Sequence, residues 1–264
     1  MDFTLNGHSV FAATAGRPFD PKSRNCVLLH GAGMDHVVWC AQAMAFSARK
    51  RDLLAVNLPG HGRSGGPPLT SIGDMADWLL ALLDAAEVEQ TTLVGHSMGA
   101  AVALEAAARA PDRFRSLALL GVSAELDVNP KILELAAAGD PAATRLIVKW
   151  CQVKGKPDEK KGGWGLTETL TSILNETPRS VIHADLKACN EYDGVLTAAA
   201  KVSCPVLLVL GEGDRITPAA QAETLAEALP DCEKVTLPDC GHMMMIEAAD
   251  GTTAALEKFL SEAP

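Results

Sequence analysis

The sequence is poor in aromatic residues and in positive charge. Aromatic residues make up 4% of its 264 positions, and Tyr192 is the single tyrosine. The 33 acidic residues outnumber the 23 basic ones, which gives a net charge of −10. A nucleic-acid-binding protein needs a basic surface to meet the phosphates. Both shortages therefore weigh against nucleic acid as a partner.

Long apolar runs and paired cysteines are missing as well. No stretch reaches the roughly 18 apolar residues of a membrane-spanning helix. The seven cysteines are odd in number and lack Cys-x-x-Cys spacing, so they suit neither a disulfide framework nor a zinc site. No two histidines have metal-binding spacing, and the first residues form no apolar signal segment. We expect a cytoplasmic protein without membrane span, metal or cofactor, and leave its oligomeric state open.

Apolar residues are plentiful, at 48% of the chain, and they occur in short runs that alternate with helical patterns. Strands are predicted at 26–29, 52–56, 91–94, 117–120, 206–210 and 233–237, with one or two edge strands within 2–14. Helices are predicted at 37–49, 74–86, 100–110, 218–229 and 244–260. This alternation without tight hairpins predicts a doubly wound, mostly parallel α/β sheet with helices on both faces.

The alternation is interrupted between residues 124 and 200. Four helical patterns occur there, at 132–138, 144–151, 166–174 and 181–189, without a convincing strand. The sequence therefore predicts a core formed by residues 1–123 and 201–264 and a helical cap inserted at 124–200.

A serine stands between a predicted strand and a predicted helix, in the run Gly-His-Ser-Met-Gly at 95–99. A sharp strand-to-helix turn forces strained backbone angles on its central residue, and glycines two positions away let strand and helix approach each other. This stretch resembles the nucleophile elbow of the α/β-hydrolases. We predict that Ser97 is a nucleophile.

A serine hydroxyl needs a general base within hydrogen-bonding reach. His242 follows the last predicted strand in the run Asp-Cys-Gly-His at 239–242. Catalytic groups of open α/β sheets gather beyond the carboxyl ends of the strands. We therefore predict that His242 is the base.

The base in turn needs a carboxylate that fixes its tautomer. Asp214 lies just beyond the predicted strand 206–210, and the order Ser97, Asp214, His242 is the order of serine, acid and histidine in α/β-hydrolases. Glu212, Asp239 and Glu125 are the alternatives. We predict Asp214.

A tetrahedral oxyanion requires two backbone N–H donors. The expected donors are Met98, which follows the nucleophile, and Ala32, in the run His-Gly-Ala-Gly at 30–33, which resembles the His-Gly motif of the family. A glycine loop can also bind a nucleotide, but His36 stands where the dinucleotide fingerprint needs its third glycine. We therefore expect no nucleotide.

The remaining candidates have more ordinary roles. We expect His96 to pack, His30 and His61 to brace loops through backbone hydrogen bonds, and the run 154–161 to be a solvated loop. Residues that could line a pocket, although packing within the cap is the favoured role for each, are Trp150, Trp164, Leu166, Leu170 and Tyr192.

The motifs together span nearly the whole chain. They are His-Gly at 30–31, Leu-Pro-Gly-His-Gly-Arg-Ser at 58–64, the elbow, Gly-x-x-Asp at 211–214 with Pro218, and Gly-His at 241–242. The chain is similar to the capped serine hydrolases of the esterase, enol-lactonase and carbon–carbon-bond hydrolase group. Serine at position 97 argues against haloalkane dehalogenases and epoxide hydrolases, which carry aspartate there.

The resemblance implies a small-molecule acyl substrate. The favoured activity is hydrolysis of an ester, lactone or thioester through an acyl-enzyme on Ser97. Two alternatives stay open, namely hydrolysis of a carbon–carbon bond at the same triad and a non-catalytic ligand-binding module of the same fold.

Overall fold

The structure, a computed structural model, describes residues 1–155 and 165–262. Its strands are β1 (Asp2–Leu5), β2 (His8–Ala13), β3 (Cys26–Leu29), β4 (Leu53–Val56), β5 (Thr91–His96), β6 (Phe114–Leu120), β7 (Val206–Gly211) and β8 (Cys232–Leu237). Its α-helices are α1 (Cys40–Ala48), α2 (Ile72–Ala85), α3 (Met98–Arg109), α4 (Pro130–Ala137), α5 (Ala142–Cys151), α6 (Leu166–Glu176), α7 (Arg179–Asn190), α8 (Val195–Ala199), α9 (Ala222–Ala228), α10 (Met244–Glu247) and α11 (Ala249–Glu262). Within these ranges, every helix lacks the length and apolarity needed to cross a lipid bilayer.

The strands form one sheet in the order β1-β2-β4-β3-β5-β6-β7-β8. Strand β2 pairs antiparallel with both β1 and β4, and the pairs from β4 to β8 are parallel. The predicted mostly parallel sheet is therefore confirmed. The segment 2–14 forms two strands, of which β1 lies at the edge of the sheet and β2 lies between β1 and β4.

The central strands are buried because helices cover both faces of the sheet. Alternate residues of β3 belong to different hydrophobic clusters, Val27 and Leu29 to one and Cys26 and Leu28 to the other. Since successive side chains of a strand point to opposite faces, the two clusters lie on opposite sides of the sheet. Continuous apolar runs are what strands buried on both faces require.

Helix α3 is apolar on nearly all sides, as its alanine-rich sequence predicts. Its residues from Met98 to Leu104 are all buried, and the helix packs against β5, β6 and α2. Small side chains allow this close approach to the sheet. The helix thus fixes the position of the turn that precedes it.

The described residues between β6 and β7 form helices α4 to α8 and contain no strand. We refer to these five as the inserted helices. The short helix α8 was not predicted, because five residues are too few to show a helical period. The division into a core and a cap with bounds at 124 and 200 stays a prediction.

The prediction of one closing helix at 244–260 is wrong in one respect, because the segment forms two helices, α10 and α11. The break is at Ala248, whose backbone angles, φ −123° and ψ 49°, are not helical. Glu247 turns back to accept hydrogen bonds from the Gly241 and Met243 amides, 3.1 Å each. These contacts fix α10 against the preceding loop, and α11 then continues in its own direction.

Candidate active site

The predicted site residues lie at one edge of the sheet. Ala32 follows β3, Ser97 follows β5, Asp214 follows β7 and His242 follows β8. Because these four strands are parallel, their carboxyl ends meet at the same edge. Residues separated by up to 210 positions in the chain therefore come together.

Ser97 occupies a sharp turn between β5 and α3. Its φ of 53° and ψ of −117° are strained for a residue with a side chain. The Ser97 amide donates to the Leu120 carbonyl oxygen at 2.8 Å, which anchors the turn to β6. Helix α3 begins at Met98, so the Met98 amide has no acceptor within the helix.

Two glycines allow this turn to close. A Cβ atom at Gly95 would overlap the backbone of Gly99 and Ala100. A Cβ atom at Gly99 would lie 2.5 Å from the carbonyl oxygen of Leu29, in β3. In both cases the atoms that the Cβ would meet belong to the backbone, which cannot move aside as the end of a side chain can.

We expect Gly95→Ala to lower the free energy of unfolding by about 3 kcal/mol, since it overpacks a rigid backbone contact. Chemical denaturation of the variant and the wild type measures the difference. Gly251→Ala is the matched control, because Gly251 is exposed in α11 and its Cβ would meet the end of the Leu237 side chain at 3.1 Å. A change at Gly95 no larger than that at Gly251 would contradict the close approach.

His242 and Asp214 form a buried pair. The Nδ1 atom of His242 lies 2.8 Å from Oδ2 of Asp214, and both residues are at most 5% exposed. Burial raises the pKa of Asp214, but the neighbouring His242 and hydrogen bonds from His242 and Thr217 outweigh it and lower the pKa from 3.8 to about 2. Asp214 is therefore a carboxylate at neutral pH, suited to hold the Nδ1–H tautomer of His242.

The alternative acids are placed elsewhere. Glu212 accepts a hydrogen bond from the Asp239 amide at 3.2 Å. The backbone oxygen of Glu125 accepts from the Ser123 hydroxyl at 2.7 Å. Of the acids weighed from the sequence, Asp214 is the one whose carboxylate bonds the His242 ring.

Sequence reasoning missed three side chains that hold this pair. The Thr217 hydroxyl donates to Oδ2 of Asp214 at 2.7 Å. Glu247 accepts from the amides on both sides of His242. His96 lies against the His242 ring, with centroids 4.7 Å apart, and its Nε2 donates to the His242 carbonyl oxygen at 2.9 Å. The spacing Asp-x-x-Thr could have suggested Thr217, whereas no local pattern signals the other two.

His96 therefore does more than pack. Burial lowers its pKa to about 3, so its ring is neutral and the Nε2–H tautomer makes the bond to the His242 carbonyl. The predictions for His30 and His61 are confirmed, since Nδ1 of each lies within hydrogen-bonding distance of a backbone oxygen, Gly31 for His30 and Pro59 for His61.

A pocket of about 140 Å³ lies over Ser97. Ala32, Met98 and His242 also line it, so the predicted nucleophile, the predicted base and both predicted oxyanion donors face one cavity. Its opposite wall is mostly apolar and comes from the inserted helices and the segment before them. The principal residues of that wall are Leu126, Val128, Ile132, Ile147, Trp150 and Leu186.

The other pocket candidates from the sequence have different surroundings. Leu166 and Leu170 are buried in the hydrophobic cluster that also contains Cys26 and Leu28 of β3. Tyr192 donates to a Glu105 carboxylate oxygen on α3 at 2.6 Å, away from Ser97. Trp164 and most of the loop predicted at 154–161 lie outside the described residues.

The comparisons with known proteins agree on one family. The family model described as the alpha/beta hydrolase family matches residues 26–255. A pimeloyl-[acyl-carrier protein] methyl ester esterase from Nitrosomonas europaea is 30% identical over 82% of this chain and 87% of that protein. The dihydrolipoyllysine-residue acetyltransferase component of an acetoin cleaving system from Pseudomonas putida is 31% identical over 89% of this chain, which spans 62% of its length.

Solved structures agree. The structure of a thermophilic esterase is 27% identical and superposes with a TM-score of 0.82, covering 99% of this chain and 97% of that one. The match of the family model over most of the chain, the mostly parallel sheet and the turn at Ser97 lead to the same conclusion. The chain belongs to the alpha/beta hydrolase family.

Proposed function

We propose that this protein is a serine hydrolase that cleaves a small carboxylic ester, lactone or thioester through an acyl-enzyme on Ser97. The observation that carries the proposal is the buried 2.8 Å hydrogen bond between Asp214 and His242 at a pocket lined by Ser97. A nucleophile, a base and an orienting acid are the groups that acyl transfer needs.

In the first step, His242 accepts the proton of the Ser97 hydroxyl through Nε2 while the serine oxygen attacks the substrate carbonyl carbon. Asp214 keeps the proton on Nδ1, so that Nε2 is free to accept. The carboxylate also stabilises the imidazolium that forms. His242 then gives its proton to the leaving alcohol or thiol, and the acyl group stays on Ser97.

In the second step, water attacks the acyl carbon and His242 accepts its proton. The carboxylic acid leaves, and Ser97 regains its hydrogen. In both steps the negative charge forms on the former carbonyl oxygen. We assign its stabilisation to the Ala32 and Met98 amides, assisted by the positive end of the α3 helix dipole.

The pocket wall supports a proposal for the substrate class. Apolar side chains from α4, α5 and α7, represented by Ile132, Ile147 and Leu186, suit an aliphatic or aromatic acyl or alcohol group. We propose that residues 124–200 act as a cap that selects this group over a core formed by residues 1–123 and 201–264. The esterase relatives support ester hydrolysis as the starting class to test.

The experiment combines a substrate panel with a covalent probe. We expect the wild-type protein to hydrolyse p-nitrophenyl acetate or butyrate, a lactone or a thioester. We expect a fluorophosphonate to label it once, at Ser97, as located by peptide mass spectrometry. Labelling needs an activated serine, and hydrolysis needs the complete cycle, so the two readouts test separate parts of the proposal.

Each alternative outcome has a distinct signature. Labelling of Ser97 with turnover of β-diketones but not of esters, lactones or thioesters would replace the proposal by carbon–carbon-bond hydrolysis. Absence of both labelling and turnover would identify a ligand-binding module of the same fold. Turnover without labelling at Ser97 would refute the nucleophile assignment.

A further inference from the structure

Gly33, the residue after the proposed oxyanion donor Ala32, is held by side chains of the inserted helices. Oδ2 of Asp185, in α7, accepts a hydrogen bond from the Gly33 amide at 2.8 Å. The Thr177 hydroxyl, just beyond α6, donates to the Gly33 carbonyl oxygen at 2.9 Å. The amide and the carbonyl oxygen of Gly33 are thus both bonded by side chains from the region of α6 and α7. We call this arrangement of Gly33, Asp185 and Thr177 the Gly33 clasp.

The contact around Gly33 is also sterically close. Its φ of +68° is one that glycine adopts without strain. A Cβ atom at this position would lie 2.9 Å from the Leu174 side chain and 3.2 Å from Ile182. The loop therefore lies directly against α6 and α7, and a displacement of these helices would displace the loop.

The carboxylate in the clasp is itself fixed by an ion pair. Oδ2 of Asp185 lies 2.7 Å from Nε2 of His61, and Asp185 is fully buried. Nδ1 of His61 faces the Pro59 carbonyl oxygen at 3.0 Å. Since both ring nitrogens face acceptors, the ring carries two protons and a positive charge.

The shift of the His61 pKa agrees with a positively charged ring. Burial lowers the pKa of His61, but the attraction and hydrogen bond of Asp185 outweigh burial and raise it. A buried ion pair contributes little net stability after its desolvation cost. Such a pair is better suited to fix a geometry than to hold the fold together.

We propose that Asp185 and Thr177 are positioning residues that hold the segment 31–33 so that the Ala32 amide points at the reacting oxygen. This inference rests on the proposed serine hydrolase function. It gives the inserted helices a second role, since they both line the pocket and set the oxyanion hole. Neither residue contacts the substrate in this account.

An oxyanion donor acts on the transition state, so a misplaced donor lowers kcat and leaves KM nearly unchanged. Removing a donor altogether costs about 100- to 1,000-fold in kcat, and misplacing one costs less. We expect Thr177→Val to lower kcat for p-nitrophenyl butyrate about 10-fold. We expect Asp185→Ala to lower it about 100-fold. KM should stay within about twofold of the wild-type value.

Conservative variants should restore activity. Thr177→Ser keeps the hydroxyl, and Asp185→Asn keeps an oxygen that can accept from the Gly33 amide. We expect both to lie closer to wild type than Thr177→Val and Asp185→Ala. Thr171→Val is the matched control, because it removes a threonine hydroxyl from α6 that does not take part in the clasp.

A second readout separates positioning from a merely structural role. Phenylboronic acid forms a tetrahedral adduct with an activated serine, and one of its oxygens occupies the oxyanion hole. Its inhibition constant should rise in Thr177→Val by the same factor by which kcat/KM falls. Thermal unfolding of each variant shows whether it is folded at the assay temperature. If Asp185→Ala is not folded there, the result for Thr177→Val decides between the two roles.

The proposal is overturned if Thr177→Val keeps kcat and the phenylboronic acid constant within twofold of wild type, or if KM alone changes. It is equally overturned if the Tm falls while kcat per folded molecule is unchanged. The proposed function survives these outcomes as long as the wild type hydrolyses esters and Ser97→Ala does not. Failure of the wild type to hydrolyse any ester, lactone or thioester overturns both.

Discussion

Ser97→Ala is expected to lower kcat for ester hydrolysis by about a million-fold, to the limit of detection. The variant has no oxygen that could form the acyl-enzyme, while the oxyanion donors and the pocket stay in place. Initial rates with p-nitrophenyl butyrate measure the loss. Binding of a non-hydrolysable analogue should be retained, because the apolar wall of the pocket is unchanged.

The control for this variant is Ser123→Ala. Ser123 is a buried serine after β6 whose hydroxyl bonds a backbone oxygen rather than facing the pocket. It should keep kcat within a few-fold of wild type. Full turnover by a folded Ser97→Ala protein would refute the nucleophile, and equal losses in both variants would mean that the loss is not specific to Ser97.

Asp214→Asn is expected to lower kcat by about 10,000-fold. Oδ1 of Asp214 accepts from the Ile216 and Thr217 amides at 2.8 and 3.0 Å. These two donors would hold the oxygen of an asparagine and turn its NH₂ group towards His242. Nδ1 would then have to accept a hydrogen bond from that NH₂ group, and the ring proton would move to Nε2, which could no longer accept the proton of Ser97.

Glu212→Gln is the matched control for Asp214→Asn, since the Glu212 carboxylate lies in the same loop and bonds a backbone amide instead of His242. It should retain activity within a few-fold. Thermal unfolding separates a tautomer defect from loss of the fold, because a variant with the wrong tautomer stays folded at the assay temperature and is nevertheless slow. Comparable losses in the two variants would contradict the assignment of the acid.

The same carboxylate predicts a pH dependence of stability. The pKa of Asp214 falls from 3.8 to about 2 in the folded protein, so its contribution of about 2 kcal/mol is present above pH 4 and disappears as the pH falls towards 2. In Asp214→Asn this contribution is absent at every pH. The difference in unfolding free energy between the two proteins should therefore narrow between pH 4 and pH 2.

The sequence was sufficient to predict the sheet and the edge of the sheet at which the proposed site residues lie. Each central strand is a short apolar run, and each proposed site residue follows a strand within a few positions. Once the strands are known to be parallel, Ala32, Ser97, Asp214 and His242 must lie at one edge. This inference needs only the local pattern and the direction of the chain.

The contacts that refine the site could not be predicted in this way. Asp185 bonds Gly33 and His61, which lie 152 and 124 positions away in the chain. In the sequence, Asp185 is one more polar residue of a helix, and the partner of a buried charge is set by how the helices pack. From the sequence alone, His61 is expected only to brace its own loop.

Tertiary contacts also limit how well the ends of helices can be predicted from the sequence. The segment 244–260 is rich in strong helix formers, so local propensity favours one continuous helix. Glu247 instead bonds the amides beside His242, and the helix breaks at Ala248. We attribute the break to these tertiary contacts, which the helical pattern in the sequence does not show.

The central claim is that acyl transfer passes through Ser97, and trapping the intermediate tests it most directly. The protein is mixed with p-nitrophenyl butyrate, quenched in acid within milliseconds and digested for mass spectrometry. We predict that the peptide containing Ser97 gains the mass of one butyryl group, that the modification disappears as substrate is exhausted, and that Ser97→Ala lacks it. Rapid hydrolysis with an acyl group on another residue, or a turnover unaffected by Ser97→Ala, would contradict the account.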